Sequence, residues 1–283
     1  MEILNKIKYF SSLVKISHTI FALPFAMIGY ILGCSNLNEL SLNKLFIIIL
    51  CMFFARNAAM SFNRYIDRTF DTKNNRTKLR ELPQKKLTPR STLIFSIINS
   101  LLFIISTWFL NNLCFYLSFV ALFIVFFYSY TKRFTIFSHI FIGISLALAP
   151  IGAYLAVIPQ FNILPIILSA IVLLWVAGFD IIYALQDEQF DRQNNLFSIP
   201  AALGYQKSII ISEILHIISA ILIIILGVYA TFGALYWIGT ILFITLLFYQ
   251  HYIVRRFGMS KINLAFFTLN GIASIIFGMT TFI

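Results

Sequence analysis

Charge is what this sequence has least of. Only 11% of its 283 residues are charged, against roughly 25% in soluble domains, while 60% are hydrophobic. That excludes an ordinary soluble globule and makes the chain an integral membrane protein. Acidic residues are scarcest: ten Asp and Glu stand against 21 Lys and Arg, a formal charge of +11. Such an excess can signal nucleic acid, but here the basic residues follow membrane topology, so nucleic acid is not an expected partner. Cysteine is also scarce. Cys34, Cys51 and Cys114 lie in apolar stretches without CxxC spacing, which argues against a disulfide framework or zinc site and leaves small buried hydrophobes. His18, His139, His216 and His251 are scattered without metal-type pairing and read as packing or interface residues. No small-residue cleavage pattern follows the first apolar run, so no cleavable signal peptide is expected.

What the chain has in abundance is apolar length. Residues 1–17 read as an amphipathic helix, with Ile3, Leu4, Ile7, Phe10 and Val14 set against Lys6, Lys8 and Lys15; such a segment lies on a membrane surface. Runs of spanning length then fall near 18–35, 44–62, 92–110, 113–130, 136–157, 163–183, 208–230, 234–252 and 262–282. The expectation is an all-α integral membrane protein of nine transmembrane helices. With the N-terminus cytoplasmic, the inside connectors are 63–91, 131–135, 184–207 and 253–261, and Lys44 alone of the basic residues falls outside. The excess of Lys and Arg on one side sets this orientation.

All five aspartates fall in two segments on that cytoplasmic side: Asp67 and Asp71, then Asp180, Asp187 and Asp191. Asn63, Asp67 and Asp71 are spaced i, i+4, i+8 and share a helix face. Asp180, Asp187 and Asp191 are spaced i, i+7, i+11, again one face of a helix, with Tyr183 alongside. Two such ladders of carboxylate oxygens suit hard cations. Mg²⁺ is favoured over Ca²⁺ if phosphate oxygens complete its shell. Intramembrane carboxylates also serve proton relays and ion pathways, but that reading leaves the interleaved cations unexplained. Arg64, Arg68, Lys73, Arg76, Lys78 and Arg80 surround the first cluster and Arg192 follows the second, as expected for metal plus an anionic phosphate. Lys85, Lys86 and Arg90 are assigned to topology signalling alone.

Two further features stand out. Tyr128, Lys132 and Arg133 form a third polar island on the same side; the cations are either interfacial anchors or a diphosphate clamp. Arg56 precedes Asn63 by two turns on the same face, about 10 Å deeper along the axis. A guanidinium there must meet an anion or neighbouring carbonyls; the functional reading is bidentate reception of a substrate carboxylate.

Together these residues resemble the UbiA superfamily of intramembrane prenyltransferases over nearly the whole chain. Its NxxxDxxxD motif is Asn63, Asp67 and Asp71, followed by Arg76-Thr77 and Arg80-Glu81-Leu82-Pro83, with Glu81 where proline is common. DxxYAxxDxxxD is Asp180, Tyr183, Ala184, Asp187 and Asp191, and YxxxKR is Tyr128, Lys132 and Arg133. The resemblance implies one domain over residues 1–283, a bundle around a central cavity open to lipid, and Mg²⁺ bridging the aspartates to an isoprenyl diphosphate. Phe179 to Asp191, Ser198-Ile199-Pro200 and Arg56 are similar to the branch acting on 4-hydroxybenzoate. Lys15 to Pro24 looks more like the branch acting on dihydroxynaphthoate for menaquinone.

On this reading Asp67, Asp71, Asp180, Asp187 and Asp191 hold Mg²⁺. Asn63, Arg64, Arg76, Tyr128, Lys132 and Arg133 bind the diphosphate. Asp67, Asp71, Asp187, Asp191 and Lys132 are the catalytic set, and Arg56 and Tyr183 meet the acceptor. The expected partners are polyprenyl diphosphate, an aromatic hydroxy acid and membrane lipid. The expected place is the cytoplasmic (inner) membrane, with the active site facing the cytoplasm. An ion-coupled transporter is the alternative outside enzymology. Haem farnesylation, which shares the first motif, is a second alternative within it.

Overall fold

The computed structural model describes residues 2–14, 21–37 and 40–281, and no strand occurs among them. Its α-helices in chain order are α1 (Glu2–Val14), α2 (Leu23–Leu37), α3 (Leu42–Lys73), α4 (Pro89–Trp108), α5 (Asn112–Thr131) and α6 (Ser138–Val157). They continue with α7 (Ile163–Ala184), α8 (Glu188–Gln193), α9 (Ile199–Tyr229), α10 (Ala234–Phe257) and α11 (Asn270–Thr281). Among the described residues eight helical stretches are long and apolar enough to cross a membrane, each matching one of the expected spans. The first expected span, 18–35, corresponds to α2, which is 15 residues long; residues 15–20, with Lys15 and His18, lie outside the described residues.

The helices form two compact units, one drawn from residues 1–19 and 41–130, the other from 20–40 and 131–283. In the first, α3 starts at the N-cap Ser41, whose hydroxyl accepts from Lys44 N–H, and runs 32 residues. That is about 48 Å, more than the roughly 30 Å hydrocarbon core needs. The surplus carries the first aspartate motif out of the apolar run while keeping it helical. Small and polar residues let α4 approach closely: Asn57 Nδ2 donates to Asn99 Oδ1 at 3.1 Å, and Ser96 Oγ to the carbonyl of Ala58 at 2.9 Å. Such pairs hold helices where lipid removes the hydrophobic drive. Thr88 caps α4, with Pro89 in its first turn.

Helix α1 is more than a surface float. Its Leu13 and Val14 are buried against Leu82 and Leu87 of the segment between α3 and α4, and Phe10 stacks on Phe95 at 4.5 Å. The side chains of residues 2–7, including Ile3, Leu4, Lys6 and Ile7, are outside the described set.

The second unit is built on α7, whose Leu168, Ile171, Val172, Trp175, Val176, Ala177, Ile181 and Ile182 are fully buried. Its neighbours α6 and α9 come close: a β-carbon on Gly143 would meet the carbonyl of Leu173. Trp175 Nε1 donates to Asn270 Oδ1 at 2.9 Å, and Asn270 Nδ2 donates to the carbonyls of Ala265 and Phe266. Those carbonyls belong to a π-helical turn, Leu264–Leu269, whose wider winding frees backbone acceptors; Asn270 satisfies two.

Outward faces are apolar. Ile94, Ile97, Ile98, Leu101 and Ile105 on α4, and Ile210, Ile214, Ile217, Ile221 and Ile225 on α9, are exposed. In water this would be a liability; in lipid it is the expected surface.

Candidate active site

In the first unit the surplus turns of α3 present Asn63, Asp67 and Asp71 one above another, as their spacing requires. Asn63 Nδ2 donates to Asp67 Oδ2 at 3.0 Å, fixing the amide against its neighbour one turn on. Asp71 is buried, and its Oδ1 takes Arg80 Nη1 at 2.7 Å. The chain returns Arg80 to this point through a knot of turns. Asn74 ends α3 and accepts at its side chain from Arg76 N–H, the amides of Thr77 and Lys78 donate to the Asn74 carbonyl, and Thr77 Oγ1 donates to the Asp71 carbonyl. Arg64 is buried within the fields of Asp71, Glu81 and Arg80.

Other cations grouped with this cluster by sequence are engaged elsewhere or exposed. Arg68 turns back on its own helix, donating to the Tyr65 carbonyl at 2.6 Å with its guanidinium 4.4 Å above the Tyr65 ring. Lys78 Nζ donates to Asn75 Oδ1, and Arg76 is exposed. Arg56 and Tyr128 are half-buried, on α3 and near the end of α5.

In the second unit the expected single helical face does not form. Helix α7 stops at Ala184, a 3₁₀ turn covers Leu185–Asp187, and α8 begins at Glu188. The tighter 3₁₀ winding rotates Asp187 and Asp191 off the register that α7 would give them, so Asp180 is not on one continuous ladder with them. Asp187 and Asp191 are both buried. Asp191 Oδ2 accepts from Lys132 Nζ at 3.3 Å and from Ser198 Oγ at 3.0 Å. Ser198 is also the N-cap of α9, accepting from Ala201 N–H, and Phe197 N–H donates to the Lys132 carbonyl at 2.7 Å. The connectors after α5 and α8 are thereby tied together around one carboxylate.

Burial alone would lower the Lys132 ammonium; Asp191, Asp187 and Asp180 outweigh it and hold the group above its ordinary value. It is a fixed positive charge at this rim. Arg133 is exposed. Arg192, grouped with the cluster by sequence, pairs instead with Glu188 at 3.1 Å and donates to the Ala201 carbonyl. Tyr183 stacks on Phe266 at 4.1 Å. Asp180 Oδ2 lies 2.7 Å from His139 Nδ1.

Three of these participants had no assigned role in the expected site. Arg80 was grouped with the cations around the first cluster, His139 was assigned to packing or an interface, and Ser198 entered only through the resemblance of Ser198-Ile199-Pro200.

Every candidate metal donor here is a carboxylate oxygen, the donor type Mg²⁺ takes. Among the described residues no group of three His, Cys, Asp or Glu can hold a metal by itself.

The family model of the UbiA prenyltransferase family matches residues 22–272. The 4-hydroxybenzoate octaprenyltransferase of Marinobacter nauticus is 28% identical over 217 residues, covering 76% of this chain and 74% of that protein. The apo structure of a UbiA homolog from Aeropyrum pernix K1 superposes with a TM-score of 0.84 at 29% identity, over 93% of this chain and 96% of that one. A UbiA homolog from Archaeoglobus fulgidus, solved bound to DMAPP and Mg²⁺, shares the fold with a TM-score of 0.78 at 20% identity, over 97% and 98%.

Proposed function

Since this multi-pass membrane chain belongs to the UbiA prenyltransferase family, we propose that it transfers a polyprenyl group from its diphosphate to a ring carbon of an aromatic hydroxy acid of the 4-hydroxybenzoate type, in respiratory quinone synthesis. The observation that carries the site assignment is the buried Asp191 held between Lys132 and Ser198, within the family's second aspartate motif. The curated relatives, named as 4-hydroxybenzoate octaprenyltransferases, support the acceptor class. Residues 1–283 act as one catalytic domain in the cytoplasmic membrane, with the site facing the cytoplasm.

Asp67, Asp71, Asp187 and Asp191, with Asp180, would hold Mg²⁺; when bound, it screens the diphosphate's charge as the carbon–oxygen bond breaks. Asn63, already fixed to Asp67, orients the diphosphate. Arg64, Arg76, Lys132 and Arg133, with Tyr128, neutralise the departing pyrophosphate. Arg80 belongs with them as the group that fixes Asp71. Arg56 receives the acceptor's carboxylate and Tyr183 borders the acceptor. The phenol-activated ring attacks the allylic carbon, and the ring proton passes to a carboxylate of the second cluster. Aromatic walls stabilise positive charge on that carbon, and exclusion of water suppresses hydrolysis. The donor's tail is insoluble in water and enters from lipid.

The test is a competition. Membranes carrying the protein are incubated with Mg²⁺, a labelled polyprenyl diphosphate, and 4-hydroxybenzoate and dihydroxynaphthoate together. Label in prenylated 4-hydroxybenzoate is expected. Label in the naphthoate product alone would reassign the acceptor, and no transfer to either would refute the proposal.

A further inference from the structure

His139 is fully buried on the first turn of α6. Both ring nitrogens are engaged, and their partners select its tautomer. Nε2 accepts from the backbone N–H of Ile199 at 3.4 Å. A backbone N–H can only donate, so Nε2 carries a lone pair and the ring N–H sits on Nδ1. That N–H points at Asp180 Oδ2, 2.7 Å away. Ile199 directly follows Ser198, the residue that donates to Asp191. The first turn of α9 thus supports two carboxylates of the second motif, Asp191 through a hydroxyl and Asp180 through an imidazole.

We propose that His139 is a positioning residue for the reaction: locked as the Nδ1–H tautomer by the Ile199 amide, it donates to Asp180 and holds that carboxylate in the orientation in which it serves Mg²⁺ and the diphosphate. The inference rests on the metal-binding reading of the second cluster. Outer partners of this kind fix the orientation of a ligating oxygen, and their loss usually costs 10–100-fold in metal affinity or activity. Only the donor at the Nδ1 position is needed, because the Nε2 bond serves to choose the tautomer. Two amide replacements separate the positions: asparagine places an N–H near Nδ1, whereas glutamine reaches toward Nε2.

The readout is binding as well as turnover. Purified protein is heated across a Mg²⁺ series with inorganic pyrophosphate present, and the Mg²⁺ concentration giving half of the thermal stabilisation is recorded, since a ligand of the folded state raises its stability by mass action. Asp180→Asn and His139→Gln should each raise that concentration about 10–100-fold. His139→Asn should stay within about threefold of wild type, and His139→Gln/Asp180→Asn should be no worse than Asp180→Asn alone, because the two residues act as one unit. A wild-type midpoint in His139→Gln would overturn the proposal. So would His139→Asn as impaired as His139→Gln, since ring volume rather than the N–H would then be what matters. Asp187→Asn and Asp191→Asn tell the two readings apart. If these shift the midpoint while the His139 variants do not, His139 has no positioning role; if none shifts it, the cluster is not a metal site and the inference falls with it.

Discussion

Arg80 Nη1 stands 2.7 Å from Asp71 Oδ1, nine residues back along the chain, and the turns between them close that distance. The pair puts a hydrogen-bonded positive charge on a buried carboxylate near the end of α3. Arg80→Ala should lower kcat/KM by about 10–100-fold. The partly exposed Arg80 limits the loss of stability to about 1 kcal/mol. Arg80→Lys should recover only part of the activity, because an ammonium does not reproduce the planar guanidinium. Steady-state kinetics with varied diphosphate, beside thermal unfolding in detergent, measure both.

Arg56 makes a different kind of prediction. If it receives the acceptor's carboxylate, Arg56→Ala removes a charge-assisted hydrogen bond worth about 1.5–3 kcal/mol. That corresponds to a roughly 10–100-fold higher KM for the aromatic acid, with the KM for the prenyl donor little changed. Equal effects on both substrates would refute the role.

The Trp175–Asn270 bond tests the fold rather than the chemistry. Asn270→Leu leaves Trp175 Nε1 without its acceptor and the Ala265 and Phe266 carbonyls without their donor, all inside the second unit. Buried groups left unsatisfied cost about 1–3 kcal/mol each, so the unfolding temperature should fall by several degrees. Activity per folded molecule should change little. An unchanged unfolding temperature would show that the bond does not hold the π-helical turn against α7.

Much of this was legible in the sequence, and the failures have physical reasons. Apolar length locates the spans because lipid demands it, and the i, i+4, i+8 spacing placed Asn63, Asp67 and Asp71 correctly because α3 stays helical to Lys73. The same periodicity misled at Asp180, Asp187 and Asp191. It assumes unbroken winding, and nothing in Leu185-Gln186-Asp187 announces a 3₁₀ turn. Helix α9 begins at Ile199, nine residues before the expected span at 208. Its first turn, capped by Ser198, is followed by a kink at Gly204, where φ is +77°, a region that glycine enters freely. The expected connector 184–207 took in that segment, which holds Pro200, Gly204 and Lys207. His139 was missed as a site residue, and Arg80 was grouped with the first cluster without its partner, because Asp180 and Asp71 lie 41 and nine residues away from them, a relation that composition does not carry.

The most direct test uses purified protein with a labelled polyprenyl diphosphate and 4-hydroxybenzoate, with Mg²⁺ present or chelated, for wild type, Asp67→Ala and Asp191→Ala. Wild type should transfer label only with Mg²⁺, and each variant should lose at least about 10²-fold while still folded in the membrane. Undiminished transfer by either variant at saturating Mg²⁺, or by wild type after chelation, would contradict the assignment of both aspartate motifs to one metal-dependent prenyl transfer.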